Sequence, residues 1–349
     1  MGSDIEMMFM VTIDMKVMKR CLLIAYLVMV CIIQKVNAQQ QIQFSQYVFN
    51  PLTVNPAYAG YRGDVYLSAV FRKQWVNIPG APESGAVSVD GLRLKNNESV
   101  GWGFQIATDK LGPQEATNLY ANYAYRIQLD HEDTRRFCLG LGFGATQYRI
   151  DGSALKFVDD NDQAIPIQSH TRIVPDANFG IFYYTPKSYI GISVMDLLSR
   201  YNVDFGYSFN NNRYATMTRS QHIYLNAGTM FTLSDQVKLK PSFMWKEDFK
   251  GPSNFDFTVF ALLDEKLWLG GSYRTGISIW DKKYLARDLD KRDAFSLIAE
   301  IFLTDKLRVG YSYDQMLNGL NNYQNGSHEL SIGIRFTKPQ GRTISPRYF

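Results

Sequence analysis

From Asp64 to Phe336 the chain is a succession of about fourteen short stretches in which apolar and polar residues alternate. The connections between them are alternately short and long. Period-two alternation gives each stretch two unlike faces, as a β-strand requires. A soluble sandwich shares that property. The second alternation, in the connections, is what a closed barrel in an outer membrane adds, with short turns at one mouth and longer loops at the other. In lipid every backbone N–H and C=O must be paired within the protein, so a spanning sheet has to close on itself.

The last stretch sets Leu330, Ile332, Ile334 and Phe336 against Glu329, Ser331, Gly333 and Arg335. The one before sets Leu307, Val309, Tyr311 and Tyr313 against Arg308, Gly310, Ser312 and Asp314. Phe137, Leu139, Leu141, Phe143 and Ala145 likewise oppose Cys138, Gly140, Gly142 and Gly144. Strands are expected near 64–74, 84–94, 99–108, 114–128, 135–150, 176–185, 188–196, 220–232, 236–246, 253–263, 266–276, 293–304, 306–316 and 327–336. This is an all-β transmembrane antiparallel barrel, with both ends of the strand series at the periplasmic mouth. Aromatic residues make up 14% of the chain, which suits interfacial girdles. The mean hydropathy of −0.21 fits a barrel whose lumen residues offset its lipid-facing ones. A net charge of +4 over 349 residues, with no basic block, gives no ground for a nucleic-acid partner.

Residues 1–38 have the layout of an export signal. Lys16, Lys19 and Arg20 precede an apolar run from Cys21 to Ile33, followed by Val36, Asn37 and Ala38. That run is too short for a spanning helix, which needs about 20 residues. Translation can begin at Met15 or Met18 without loss of the signal. Val30 before Cys31 argues against a lipid-modified cysteine. Removal of the signal leaves Cys138 as the sole cysteine, so an internal disulfide and a thiolate metal site are both excluded.

Residues 39–63 precede the first strand and contain two Asn-Pro pairs, Asn50-Pro51 and Asn55-Pro56, which favour turns. Ile42, Phe44, Tyr47, Phe49, Leu52, Val54 and Tyr58 make this segment too apolar for a free tail. It is expected to fold at the periplasmic mouth as a plug or a docking strap. Residues 337–349 form a periplasmic tail ending in Tyr348 and Phe349.

Gln43-Phe44-Ser45-Gln46-Tyr47, then Asn50-Pro51 and Asn55-Pro56-Ala57-Tyr58-Ala59-Gly60, resemble the PorP/SprF family. These are outer-membrane proteins of the type IX secretion system of Bacteroidetes. The likeness continues through Arg72-Lys73-Gln74-Trp75, the loop Ile78-Pro79-Gly80-Ala81-Pro82, Gly101-Trp102-Gly103, Asp109, and Tyr120, Tyr123 and Tyr125. It ends with Tyr311-Ser312-Tyr313-Asp314. The resemblance implies an integral outer-membrane protein that assists secretion and surface attachment of a dedicated client. That client would be a gliding-adhesin-like protein with a C-terminal sorting domain. The further partners it implies are the translocon, the periplasmic motor and outer-membrane lipid. Phe44, Tyr47, Asn50, Pro51, Asn55 and Pro56 in the segment, with Trp75, Pro79 and Pro82 in the first outer loop, are the residues assigned to partner contact or plugging. The alternative is a substrate channel, either a porin or a fatty-acid transporter.

No cofactor or covalent chemistry is expected. His131, His170, His222 and His328 are too scattered to share a metal. Ser220 beside His222 and Ser327 beside His328 lie on strands too distant for a nucleophile–base pair. Gly140, Gly142 and Gly144 open no helix and so make no phosphate loop. Asp159, Asp160 and Asp162 lack the turn glycine and distal glutamate of a calcium loop. Lys238, Lys240, Asp256, Arg274, Glu300, Arg308, Asp314, Glu329 and Arg335 fall on the lumen side. There they are expected to pair: Asp256 with Lys240 and Arg274, and Arg308 with Glu300 and Glu329.

Overall fold

The computed structural model describes residues 42–92, 98–151, 169–199, 205–209, 212–217, 220–280, 282 and 291–336. The expected export signal, the expected tail after Phe336 and the Asp159–Asp162 cluster lie outside the described residues. Seven strands come first: β1 (Tyr66–Lys73), β2 (Glu83–Leu92), β3 (Val100–Leu111), β4 (Gln114–Gln128), β5 (Arg136–Ile150), β6 (His170–Tyr184) and β7 (Ser188–Met195). A separate two-stranded hairpin, β8 (Phe205–Phe209) and β9 (Asn212–Met217), follows in the next long connection. The wall resumes with β10 (His222–Thr229), β11 (Phe231–Thr232), β12 (Val237–Glu247), β13 (Ser253–Leu263) and β14 (Leu267–Ile277). It ends with β15 (Arg292–Phe302), β16 (Leu307–Met316) and β17 (Ser327–Arg335).

Each wall strand pairs antiparallel with its chain neighbours, and β1 pairs with β17 from Tyr66↔Arg335 to Lys73↔His328. β7 passes over the hairpin to pair with β10. β10 and β11 are two pieces of one wall strand broken at Met230, and both lie against β12. Counted as one, they make a closed barrel of fourteen strands. Closure leaves no edge in the membrane, which satisfies the backbone requirement.

The faces follow the sequence parity. On β5, Cys138 is 1% exposed and faces inward, whereas Phe143 is 62% exposed and faces out. Phe71, Phe104, Ile106, Leu119, Leu297 and Leu330 share the outer surface with it. Two strands run longer than their pattern suggested. β3 continues to Leu111, and β6 begins at His170 rather than near 176. Pro175 lies within the added stretch. It pairs by register with Ala145 on β5, but β7 meets β6 only over Phe179–Tyr184, so the missing proline donor breaks no ladder bond with β7.

Residues before β1 form three short 3-10 turns, Tyr47–Phe49, Pro51–Thr53 and Pro56–Tyr58. The prolines of the second and third stand at the first helical position, where a missing N–H costs nothing. Asn55 caps the third, its Oδ1 accepting from the Ala57 N–H at 2.9 Å. Local satisfaction of the backbone lets this non-sheet segment lie buried.

Candidate functional site

The segment from Ile42 to Tyr61 lies against lumen-facing side chains, and its partners place it by depth. Near the long-loop end, Lys246 Nζ donates to Gln43 Oε1 at 2.8 Å, and Phe44 packs on Val70, Ala86 and Ala107. Farther in, Asn50 Oδ1 accepts from Ser88 Oγ at 3.0 Å. Near the short-turn end, Asn55 Nδ2 donates to Ile181 O at 3.1 Å and the Gly60 N–H donates to Asp90 Oδ2 at 3.0 Å. The sequence expectation put this segment at the periplasmic mouth; its contacts instead run through the lumen. The physical reason is that Arg72, Asp314 and Glu329, buried on the lumen side near the long-loop end, offer the ionic partners that Ser45 and Gln46 need.

Those partners form a buried network. The backbone N–H groups of Ser45 and Gln46 both donate to the Glu329 carboxylate at 2.8 Å. Arg72 bridges Glu329 at 3.1 Å and Asp314 at 2.6 Å. Ser45 Oγ donates to Asp314 at 2.6 Å and accepts from Arg72 at 2.9 Å. Arg274 reaches the same hydroxyl at 3.3 Å and pairs with Asp256 at 2.8 Å. Ser331 Oγ donates to Gln46 Oε1 at 2.7 Å. Charges this deep are tolerated because each finds an opposite charge and further hydrogen bonds.

An aromatic layer fills the lumen below. Phe49 tilts on Phe260 with centroids 5.2 Å apart, Tyr58 stacks on Phe182 at 3.9 Å, and Tyr61 meets Tyr184 edge-on at 4.8 Å. Burying each such ring contributes about 1.5–3 kcal/mol. That is set against about 1–2 kcal/mol per residue for fixing the backbone. Arg308 pairs with Glu300 at 3.1 Å and also donates to Phe49 O.

The wall makes room with glycine. A Cβ on Gly140 would overlap the Ala57 backbone, one on Gly101 the Ala59 backbone, and one on Gly180 the Asn55 side chain. The sequence expectation for Gly140 was room in the lumen or a bend in the sheet, and Gly180 was not singled out. Arg72 and Ser45 were also missed as site residues, although the inward parity of Arg72 and the place of both in the family-like stretches carried the signal.

The nine nominated residues divide into two groups. Phe44, Tyr47, Asn50, Pro51, Asn55 and Pro56 are all buried in the lumen. Trp75, Pro79 and Pro82 stand apart in the outer loop between β1 and β2. Trp75 has φ 46° and its N–H donates to Ser327 Oγ at 3.1 Å, while Pro82 O accepts from the Gln74 N–H at 2.9 Å.

Several expected pairings shift. Asp256 meets Arg274, but Lys240 lies opposite Phe260, so Asp256 and Lys240 are not register neighbours. Arg308 takes Glu300, and Glu329 takes Arg72. Lys238 reaches Glu265 at the short-turn rim. His222 Nδ1 faces the Ser220 carbonyl at 3.0 Å and Asp196 at 3.8 Å. His328 meets Tyr311 Oη at 2.6 Å. Among the described residues no three His, Cys, Asp or Glu side chains are placed to hold a metal.

A family model described as type IX secretion system membrane protein PorP/SprF matches residues 36–334. No curated protein matches the chain. Among solved structures, the CymD monoaromatic hydrocarbon channel is 10% identical, covering 87% of this chain and 95% of its own, with a TM-score of 0.48. A Pseudomonas aeruginosa FadL homologue is 10% identical over 81% of this chain and 93% of its own, at 0.45. The Acinetobacter baumannii outer membrane protein Omp33 is 10% identical over 79% of this chain and all of its own, at 0.41.

Proposed function

The chain belongs to the PorP/SprF family of type IX secretion system membrane proteins, and from that membership we propose that it assists the secretion and surface attachment of a dedicated client protein. The client would carry a C-terminal sorting domain and resemble a gliding adhesin. The outer loops and the long-loop mouth would receive it. The periplasmic turns and tail would meet the translocon and the motor components. No step of covalent chemistry is part of this reading.

The observation that supports it is the occupied lumen. The segment holding Phe44, Tyr47, Asn50, Pro51, Asn55 and Pro56 is buried along the barrel and tied to Arg72, Asp314 and Glu329. A filled, crosslinked barrel suits an anchor that holds a protein at the surface. We assign the segment the role of a plug, and Trp75, Pro79 and Pro82 the role of client contact.

The test removes residues 42–60 from the full-length protein in cells. Heat-modifiable migration on gels reports whether the barrel still inserts, and surface labelling reports client display. Inserted barrel with client lost from the surface supports the reading. Inserted barrel with display intact would refute a role for the segment. Pure wild-type protein in planar bilayers should pass little ion current; a steady open conductance would instead favour a channel.

A further inference from the structure

We propose that the outer rim over β1 to β5 carries a site for the phosphate headgroup of an outer-leaflet lipid. Strand register puts one row of charges across this arc. Lys73 lies opposite Glu83, Glu83 opposite Lys110, Lys110 opposite Glu115, and Glu115 opposite Arg149. All five share the outward parity of Phe71, Val87, Ile106, Leu119 and Phe143, whose side chains are exposed on the wall. The row therefore sits on the lipid-facing surface, at the ends of the strands nearest the long loops.

Lysine or arginine on the lipid face of a barrel is tolerated near the interface and disfavoured at the midplane. The row thus marks the upper limit of the hydrocarbon. Across the barrel, the outward residues near the long-loop end are aromatic. Trp245 is opposite Phe255, Phe257 is opposite Tyr273, and Tyr273 is opposite Phe295. An aromatic girdle is the ordinary interfacial device. The charged arc departs from it locally, with three cations against two carboxylates.

A cleft of about 610 Å³ opens directly above the row, lined by Lys73, Glu83, Lys110, Trp75, Ile78 and Pro79 among others. Lys73 and Glu83 pair at 2.8 Å while both remain about half exposed. Lys110 makes no ion pair within 4.0 Å among the described residues. The cleft is braced before any ligand arrives. The Val76 N–H donates to Gly326 O at 3.0 Å, the Asn325 N–H to Val76 O at 2.9 Å, and the Gly112 N–H to Gly80 O at 2.9 Å. Trp75, Asn77, Gly80 and Gly112 hold positive φ in this loop and turn, so the shape is fixed rather than assembled on binding.

The occupant is a lipid, because the cations continue downward into Phe71, Phe104 and Ile106, a surface that acyl chains cover. The phosphate would sit on the Lys110 ammonium, with the Glu83 carboxylate turned to Lys73 in the pair already described. Native mass spectrometry of the full-length protein in detergent, with added phosphorylated lipid A, tests this. Lys73→Gln with Lys110→Gln should weaken lipid affinity by about thirtyfold, from roughly 1 kcal/mol for each of the two surface cations. Lys306→Gln, at a short turn, should leave it unchanged. Lys110→Gln alone breaks no ion pair, so it keeps the test decisive if the double variant does not fold. Unchanged lipid retention in these variants overturns the proposal. Displacement of the lipid by millimolar inorganic phosphate would reassign the site to a free anion, and equal binding of dephosphorylated lipid A would remove the phosphate preference.

Discussion

Arg72 is the residue on which most of the lumen network converges. It is 2% exposed and bridges Asp314 and Glu329, which in turn hold Ser45 and Gln46. Arg72→Ala would strand two buried carboxylates, a loss of about 3–5 kcal/mol. The expected result is a lower unfolding temperature in detergent together with faster proteolysis of the segment; a variant as stable as wild type would show the network to be dispensable. At the short-turn end, Asp130 illustrates a different electrostatic effect. The Thr134 hydroxyl, then the N–H groups of Arg135 and Thr134, hold its carboxyl below the usual carboxylate range. A lowered folded value means the turn is fully supported above the ordinary value of about 3.9. That support is lost as pH falls through the lower folded value. The protection factor of the Thr134 amide, its exchange relative to the unstructured rate at the same pH, should therefore hold at pH 5 and fall only below about pH 4; a fall already between pH 7 and 5 would contradict this assignment.

Among the elements, the 3-10 segment and the glycines facing it form one unit. Gly140 and Ala57 are in backbone contact, so Gly140→Ala should displace the Pro56–Tyr58 turn at a cost of about 1–3 kcal/mol. Gly85 provides the control, because its added Cβ meets nothing closer than Val70 O at 3.7 Å. Limited proteolysis should cut the segment in the Gly140 variant and spare it in Gly85→Ala. Equal resistance in both would mean the wall yields instead. The strands themselves were largely legible from alternation, since each face of β5 or β17 is dictated by its own residues. The start of β6 was not, because Pro175 is acceptable only where β7 stops short, a fact about a neighbouring strand.

For the molecule as a whole, the direction of the inner segment has a consequence for topology. Gln43 meets Lys246 near the long-loop end, while Gly60 meets Asp90 near the short-turn end. Short turns of outer-membrane barrels face the periplasm, so Gln43 lies toward the cell exterior. Cys138 is buried, which makes Gln43→Cys a clean reporter. A membrane-impermeant maleimide should label that variant on intact cells. Labelling only after the outer membrane is broken would reverse the direction assigned here.

Alternation and turn lengths, both local properties, were enough by themselves to determine a closed membrane barrel, its lipid-facing residues and its inward charges. The apolar residues from Ile42 to Tyr58 likewise marked the segment before β1 as one that must be buried. Where it is buried was decided only by tertiary structure. Ser45 and Gln46 find their partners 269 to 285 positions away, at Asp314 and Ser331. No local pattern encodes a contact of that range, because barrel closure alone brings those strands beside β1 and turns their carboxylates toward the segment.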